Sequence, residues 1–204
     1  MHLTYLLIEG FVAQGINKTS EKFTIYPQKV ETLPGVTDAD VLLSLQRLPG
    51  VKSPNETASG IHVRGGTSDQ NLVLLDEATV YNTSHLFGLF SVFNSDAIKD
   101  LKLYKGGIPA RYGGRLSSVL DIYQKEGNKE NYRFSGGLGL ISARLMAEGP
   151  IVKNKSSFLL AGRGSYGHLF LKLSDNKNSA YFYDLNTKAN FEINKNNKLF
   201  VSGY

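Results

Sequence analysis

From Asn131 onward the chain is written in long runs of period-two alternation, and this pattern restricts its fold more than any other feature. Tyr132, Phe134, Leu138 and Leu140 keep one phase, after which Ile141, Ala143, Leu145 and Ala147 keep the other. Read as a single strand, residues 131–150 would stretch about 66 Å at about 3.3 Å per residue, whereas a tilted membrane strand needs roughly 9–11 residues. The spacing therefore predicts two strands with a tight reversal near Leu140–Ser142. Further strands are expected over Ser156–His168, Ala180–Ile193 and Lys198–Tyr204.

Connections between these strands alternate between short (Val152–Lys155, Asn194–Asn197) and longer (Leu169–Ser179), as in membrane barrels with short turns on one side and long loops on the other. A closed barrel needs at least about eight strands, so some five cannot close one. Residues 126–204 read as the first antiparallel strands of a transmembrane β-barrel, cut off at the C-terminus.

Charge follows the same division. Residues 1–125 carry 12 Lys+Arg against 12 Asp+Glu, and residues 126–204 carry 11 against 6, so the net +5 lies entirely in the last third. Those late lysines fall in turn-like stretches rather than on one face, which argues against a nucleic-acid partner. The absence of cysteine excludes disulfides and thiolate metal sites, and no apolar run approaches the roughly 18 residues of a membrane helix. The stretch from Met1 to Gly15 lacks the basic n-region of a secretory signal, so if the mature protein is exported its signal lies upstream.

Residues 1–36 read as a lead-in, and 37–125 as a small α+β domain. Thr37-Asp-Ala-Asp40 followed by Val41, Leu42, Leu45 and Leu48 predicts a helix capped by Thr37, with Asp40 at its third position, ending at Pro49-Gly50. Strands are expected over Gly60–Arg64, Asn71–Leu75 and Ala78–Tyr81, the last two joined by a tight Asp76-Glu77 turn, building a mixed sheet that the helix covers. Asn94-Ser95-Asp96 suggests a second short helix running into a strand, and Ser117–Tyr123 a further strand. Phe87, Phe90 and Phe93 at i, i+3, i+6 suggest the buried face of a short helix.

Chemistry-bearing motifs are sparse. Gly137-Leu-Gly-Leu-Ile-Ser142 lacks the third glycine and the helix of a dinucleotide fingerprint. The four histidines are scattered, so no catalytic constellation, metal site or cofactor is expected. An enzyme is not indicated. The polar loop Tyr81, Asn82, Ser84, His85 after a strand has the composition of a ligand contact.

Five segments in order carry a resemblance. Leu48-Pro49-Gly50-Val51, Ile61-His62-Val63-Arg64-Gly65-Gly66, Asn71–Asp76, Tyr104-Lys105-Gly106-Gly107 and Arg111-Tyr112-Gly113-Gly114-Arg115 closely resemble the plug domain of TonB-dependent outer-membrane receptors. Leu75-Asp76-Glu77-Ala78 and His85–Asn94 look like a Bacteroidetes-type subgroup, departing from the starch-utilisation receptors, where an Ile-Asp-Gly-Val-type sequence is usual at Asp76.

The resemblance implies energy-coupled import across the bacterial outer membrane. The plug would gate a barrel set in outer-membrane lipid, and TonB, with ExbB and ExbD, would pull on it through a Ton box expected upstream. The ligand would be a scarce small molecule such as a siderophore, peptide or saccharide, held at an apex that includes Tyr81, Asn82, Ser84 and His85. Arg64, Arg111 and Arg115 would contact barrel carboxylates. Pro49, Gly50, Gly65, Gly66, Asp76, Gly106, Gly107, Gly113 and Gly114 would be structural positions of the plug motif. A non-transporting adhesin or signalling receptor built on the same plug is the alternative.

Overall fold

The computed structural model describes residues 16–19, 22–27, 40–46, 48–53, 60–88, 90–168 and 181–204. The chain divides between Gln124 and Lys125 into two compact units. In the first, strands β1 (Ile16–Thr19) and β2 (Lys22–Ile25) precede helix α1 (Val41–Leu45). Then come β3 (Val51–Lys52), β4 (His62–Val63), β5 (Asn71–Leu75), β6 (Ala78–Thr79), β7 (Ser84–His85), β8 (Phe90–Ser91), β9 (Ile98–Tyr104) and β10 (Ser118–Gln124).

Six of these strands form one mixed sheet in the order β1-β2-β9-β10-β5-β6, with β5 and β10 parallel and the other pairs antiparallel. Strand alternation gives β9 and β10 two distinct faces. Leu101, Leu103, Leu120 and Ile122 point into a core completed by Phe23, Ile25, Val41, Leu42, Leu45 and Leu48. Tyr104 and Val119 point the other way and pack with Leu74, Ile108 and Tyr112 in a smaller cluster. The β1–β2 hairpin was not expected from the lead-in, although Phe23 and Ile25 alternate with Lys22 and Thr24 as a half-buried strand should.

Helix α1 is shorter than the Thr37–Leu48 expectation, and its start is also different. Asp40 is the cap, accepting the Leu42 N–H at 2.8 Å on one oxygen and the Ser91 N–H at 2.7 Å on the other, because a carboxylate satisfies the orphan donors of a first turn. Thr37 lies outside the described residues. The helix ends where Leu48 N–H turns back to the Leu45 carbonyl, and Gly50 at φ 74° carries the chain into β3.

Gly60–Arg64 contributes only His62–Val63, and that strand pairs with β3 instead of joining the main sheet. The reason is the left-handed backbone that follows at once, Arg64 at φ 51° and Gly65 at φ 82°. Asn94–Asp96 is a turn and not a helix: the Asn94 side chain accepts the Asp96 N–H at 3.0 Å, an arrangement that competes with helix formation. Nor do the phenylalanines share a helix. Phe90 lies in β8 and Phe93 just before the turn that follows, both buried, and Leu86–Gly88 is a single 3₁₀ turn.

The second unit is a five-stranded antiparallel meander of β11 (Arg133–Leu138), β12 (Ser142–Val152), β13 (Ser156–Ser165), β14 (Tyr183–Glu192) and β15 (Lys198–Gly203), in sequence order. The β11–β12 reversal is closed by the Gly139 N–H on the Ser142 carbonyl. Register gives the sheet one apolar face, where Phe134, Ala147 and Leu160 align and Leu145, Gly162 and Leu185 align. The opposite face aligns Arg144, Arg163 and Asp184, the last two joined by a buried ion pair with Nε–Oδ2 of 3.0 Å that relieves the cross-strand arginine repulsion.

Candidate functional site

A cleft of about 710 Å³ opens on the first unit. Its floor is apolar, formed by Leu42, Ile61, Val73 and Leu120, and its rim is polar, with Tyr81, Asn82, Ser84, His85, Asp69 and Arg115. All four residues of the sequence-predicted polar loop line this cleft, and so does Arg115. Sequence reasoning missed Asp69, which comes from the 3₁₀ turn Ser68–Gln70, and the signal was only its place between two matched segments.

Local structure explains how the rim is held. The Asp76-Glu77 turn places both residues at positive φ, 46° and 72°, as a two-residue hairpin demands, and sends β6 back along β5 toward Tyr81. Ser84 N–H then donates to the Asn82 side chain at 3.3 Å, and Val92 N–H donates to the Thr83 carbonyl at 3.0 Å. Ser84 pairs with Ser91 and His85 with Phe90 across the β7–β8 ladder. Tyr81 is 85% exposed, so its ring is a surface group at the rim.

Asp69 is held below the usual carboxylate range, first by a hydrogen bond from the Thr67 side chain, then by its own backbone, with a smaller contribution from Arg115. The rim therefore offers a carboxylate, a guanidinium, an imidazole, an amide and hydroxyls over an apolar floor, a combination suited to a small polar ligand with an apolar body.

The loops beneath the rim are pinned by buried side chains. Asn71 donates to the Ile61 carbonyl at 2.8 Å and accepts the Ser118 hydroxyl at 2.7 Å. Ser117 Oγ donates to the Val63 carbonyl at 2.7 Å, and a Cβ built on Gly66 would lie 2.4 Å from Ser117 Oγ, so any larger residue here would have to displace the Ser117 side chain from that bond. Asp76 is buried and accepts the Gln124 N–H at 3.1 Å. Lys105 is buried, donating to the Pro49 carbonyl with its ammonium 4.2 Å from the Phe23 ring centre. Gly106 and Gly107 follow it into the loop toward Tyr112.

The three arginines have different immediate surroundings. Arg64 is exposed beside the Gly50 turn, its N–H on the Gly50 carbonyl at 2.9 Å. Arg111 stacks on Tyr112 at 4.6 Å and donates to its hydroxyl at 2.7 Å. Arg115 follows Gly113 and Gly114 onto the cleft rim. Among the described residues no cluster of metal-ligating side chains occurs.

A small mixed-sheet domain that leads into a two-faced antiparallel meander is the class defined by this fold. Residues 18–119 match the family model described as TonB-dependent Receptor Plug Domain, which is half of the chain, and the chain belongs to that family. No curated protein matches it. Among solved structures, the siderophore receptor PirA from Acinetobacter baumannii superposes with a TM-score of 0.63 at 19% identity, over 90% of this chain and 31% of that one. PirA from Pseudomonas aeruginosa gives 0.59 at 17%, over 88% and 32%. The copper transporter OprC gives 0.62 at 11%, over 93% and 31%. The chain thus spans about a third of the length of the receptors it matches.

Proposed function

We propose that this chain is the plug and first barrel strands of a TonB-dependent outer-membrane transporter that imports a small ligand. The cleft carries the reading: a polar rim of Asn82, Ser84, His85, Asp69 and Arg115 over an apolar floor, within a unit of the plug family. The two-faced meander supports the membrane location, since a sheet whose apolar face carries Phe134, Leu145, Leu160 and Leu185 suits lipid on one side and a polar lumen on the other. TonB, energised through ExbB and ExbD, is the proposed partner.

In this reading Arg115 serves the ligand cleft, Arg111 serves Tyr112, and Arg64 is the residue proposed to meet a barrel carboxylate. The PirA and OprC structures make siderophores and metal complexes reasonable first candidates, and Leu75–Ala78 with His85–Asn94 favours a Bacteroidetes-type receptor. The test is accumulation by cells carrying the full-length receptor, supplied separately with ferric siderophores, copper(II), an oligopeptide mixture and oligosaccharides. One class should accumulate, and gene deletion or a protonophore should abolish it. Equal accumulation of every class in the deletion strain refutes the proposal, and binding without energy-dependent accumulation points to a signalling receptor.

A further inference from the structure

The loop between β9 and β10 ends at Arg115 on the cleft rim, yet its anchor lies on the other face of the sheet. Asp121, in the middle of β10, is fully buried. Its Oδ2 accepts two hydroxyls, Tyr112 at 2.6 Å from the loop and Tyr123 at 2.8 Å from the strand itself. Its Oδ1 has no hydrogen-bond partner among the described residues. A buried carboxylate is expensive unless compensated, and the compensation here comes through the tyrosines: Arg111 on Tyr112, and the Lys102 ammonium 4.3 Å from the Tyr123 ring centre. Tyr112 also packs on Tyr104, centroids 5.5 Å apart, and its N–H closes a turn on the Pro109 carbonyl.

Three residues beyond this anchor stands Arg115, and two residues beyond that the chain is pinned again, by Ser117 on Val63 and Gln70. Between the anchor and Arg115 lie Gly113 and Gly114, the second at φ 84°, and a Cβ at either would meet nothing within 4 Å. Two fixed points and a glycine joint in open space describe an arm whose position depends on whether the first point holds.

We propose that the Tyr112–Asp121 hydrogen bond is a latch that positions the 113–116 arm, and with it Arg115, at the mouth of the cleft. This rests on the cleft being the ligand site. Tyr112 and Asp121 are then positioning residues for recognition, and release of the latch lets Arg115 leave the rim without unfolding the sheet. Loss of the Tyr112 hydroxyl also leaves Asp121 with one donor fewer, so both partners gain by keeping the bond closed.

The test uses the full-length receptor, with any cysteines elsewhere replaced by serine, and a nitroxide label on Leu116→Cys, a side chain 89% exposed and next to Arg115. Tyr112→Phe and Asp121→Asn should each shorten the label's correlation time at least about twofold, and the double variant should add little to either. Tyr123→Phe, which removes the other hydroxyl from the same oxygen but lies outside the arm, should leave the spectrum unchanged while lowering the melting temperature comparably. An unchanged spectrum in Tyr112→Phe overturns the latch, and so does an equal response to Tyr123→Phe. Because the label reports the arm and not transport, a failed uptake screen with an intact label response removes the import reading alone.

Discussion

Asn71 and Ser118 are bonded side chain to side chain at 2.7 Å, both buried, at paired positions of the parallel strands β5 and β10. The same amide donates to the Ile61 carbonyl, so one asparagine ties two strands to the loop that forms the cleft floor. Asn71→Ala strands a buried hydroxyl and a buried carbonyl and should cost about 2–4 kcal/mol, whereas Ser118→Ala, which strands only one amide oxygen, should cost about 1–2. Urea denaturation of the chain, comparing midpoints at constant slope, checks the order. A smaller loss for Asn71→Ala than for Ser118→Ala would contradict it.

Asp40 joins helix and sheet by splitting its oxygens between Leu42 and Ser91. Asp40→Ala should destabilise by about 1–2 kcal/mol, the range of a lost cap plus an unsatisfied neighbour, while Asp40→Asn keeps one acceptor and should lose less. Hydrogen exchange separates the two contributions: the Leu42 and Ser91 amides should both lose protection in Asp40→Ala, and only one of them in Asp40→Asn.

Where local signals agreed with the tertiary environment, the sequence was legible. Asn71–Leu75 is a strand over those residues because a continuous apolar run bounded by the Asp76-Glu77 turn has no competing reading. The meander strands likewise followed from alternation. Local reading failed where one side chain redirected the backbone: Asp40 took the cap, Asn94 replaced a helix with a turn, and Arg64 ended β4. The cleft was half legible. Its polar loop is contiguous in sequence, but Asp69 and Leu120 reach it only through the parallel β5–β10 pairing, which no local pattern specifies.

Tyr112 carries a pH prediction. Burial first, and then its hydrogen bond to Asp121, push its hydroxyl up from the usual 10 to about 12. A group whose folded value is raised contributes stability that is fully present below the unfolded value and is lost as pH rises through the folded one. The contribution of Tyr112 should therefore be intact to about pH 10 and gone above about 12. Alkaline titration followed by tyrosinate absorbance should show late-titrating tyrosines, with one fewer in Tyr112→Phe, since burial and the same Asp121 carboxylate also raise Tyr123. A tyrosine absorbance rise centred on about pH 10, with no later component in the parent chain, would contradict the assignment.

Loop length sets the expected side of the membrane for each connection of the meander. Lys153–Lys155 is a tight turn between β12 and β13, with Asn154 at φ 62°, and Asn194–Asn197 closes β14 to β15 as briefly. Both lie at the same end of the meander, because each follows an odd number of reversals after β11. The connection from β13 to β14 is long and leaves from the other end. Barrels place short turns on the periplasmic side and long loops outside, so Asn154 should face the periplasm and Asn176 the exterior. Single cysteines at these two positions in the full-length receptor, exposed on intact cells to a membrane-impermeant maleimide, give the answer. Asn176→Cys should label and Asn154→Cys should label only after the outer membrane is permeabilised. The reverse pattern would invert the topology, and labelling of both on intact cells would mean that this meander does not span the membrane as a barrel wall.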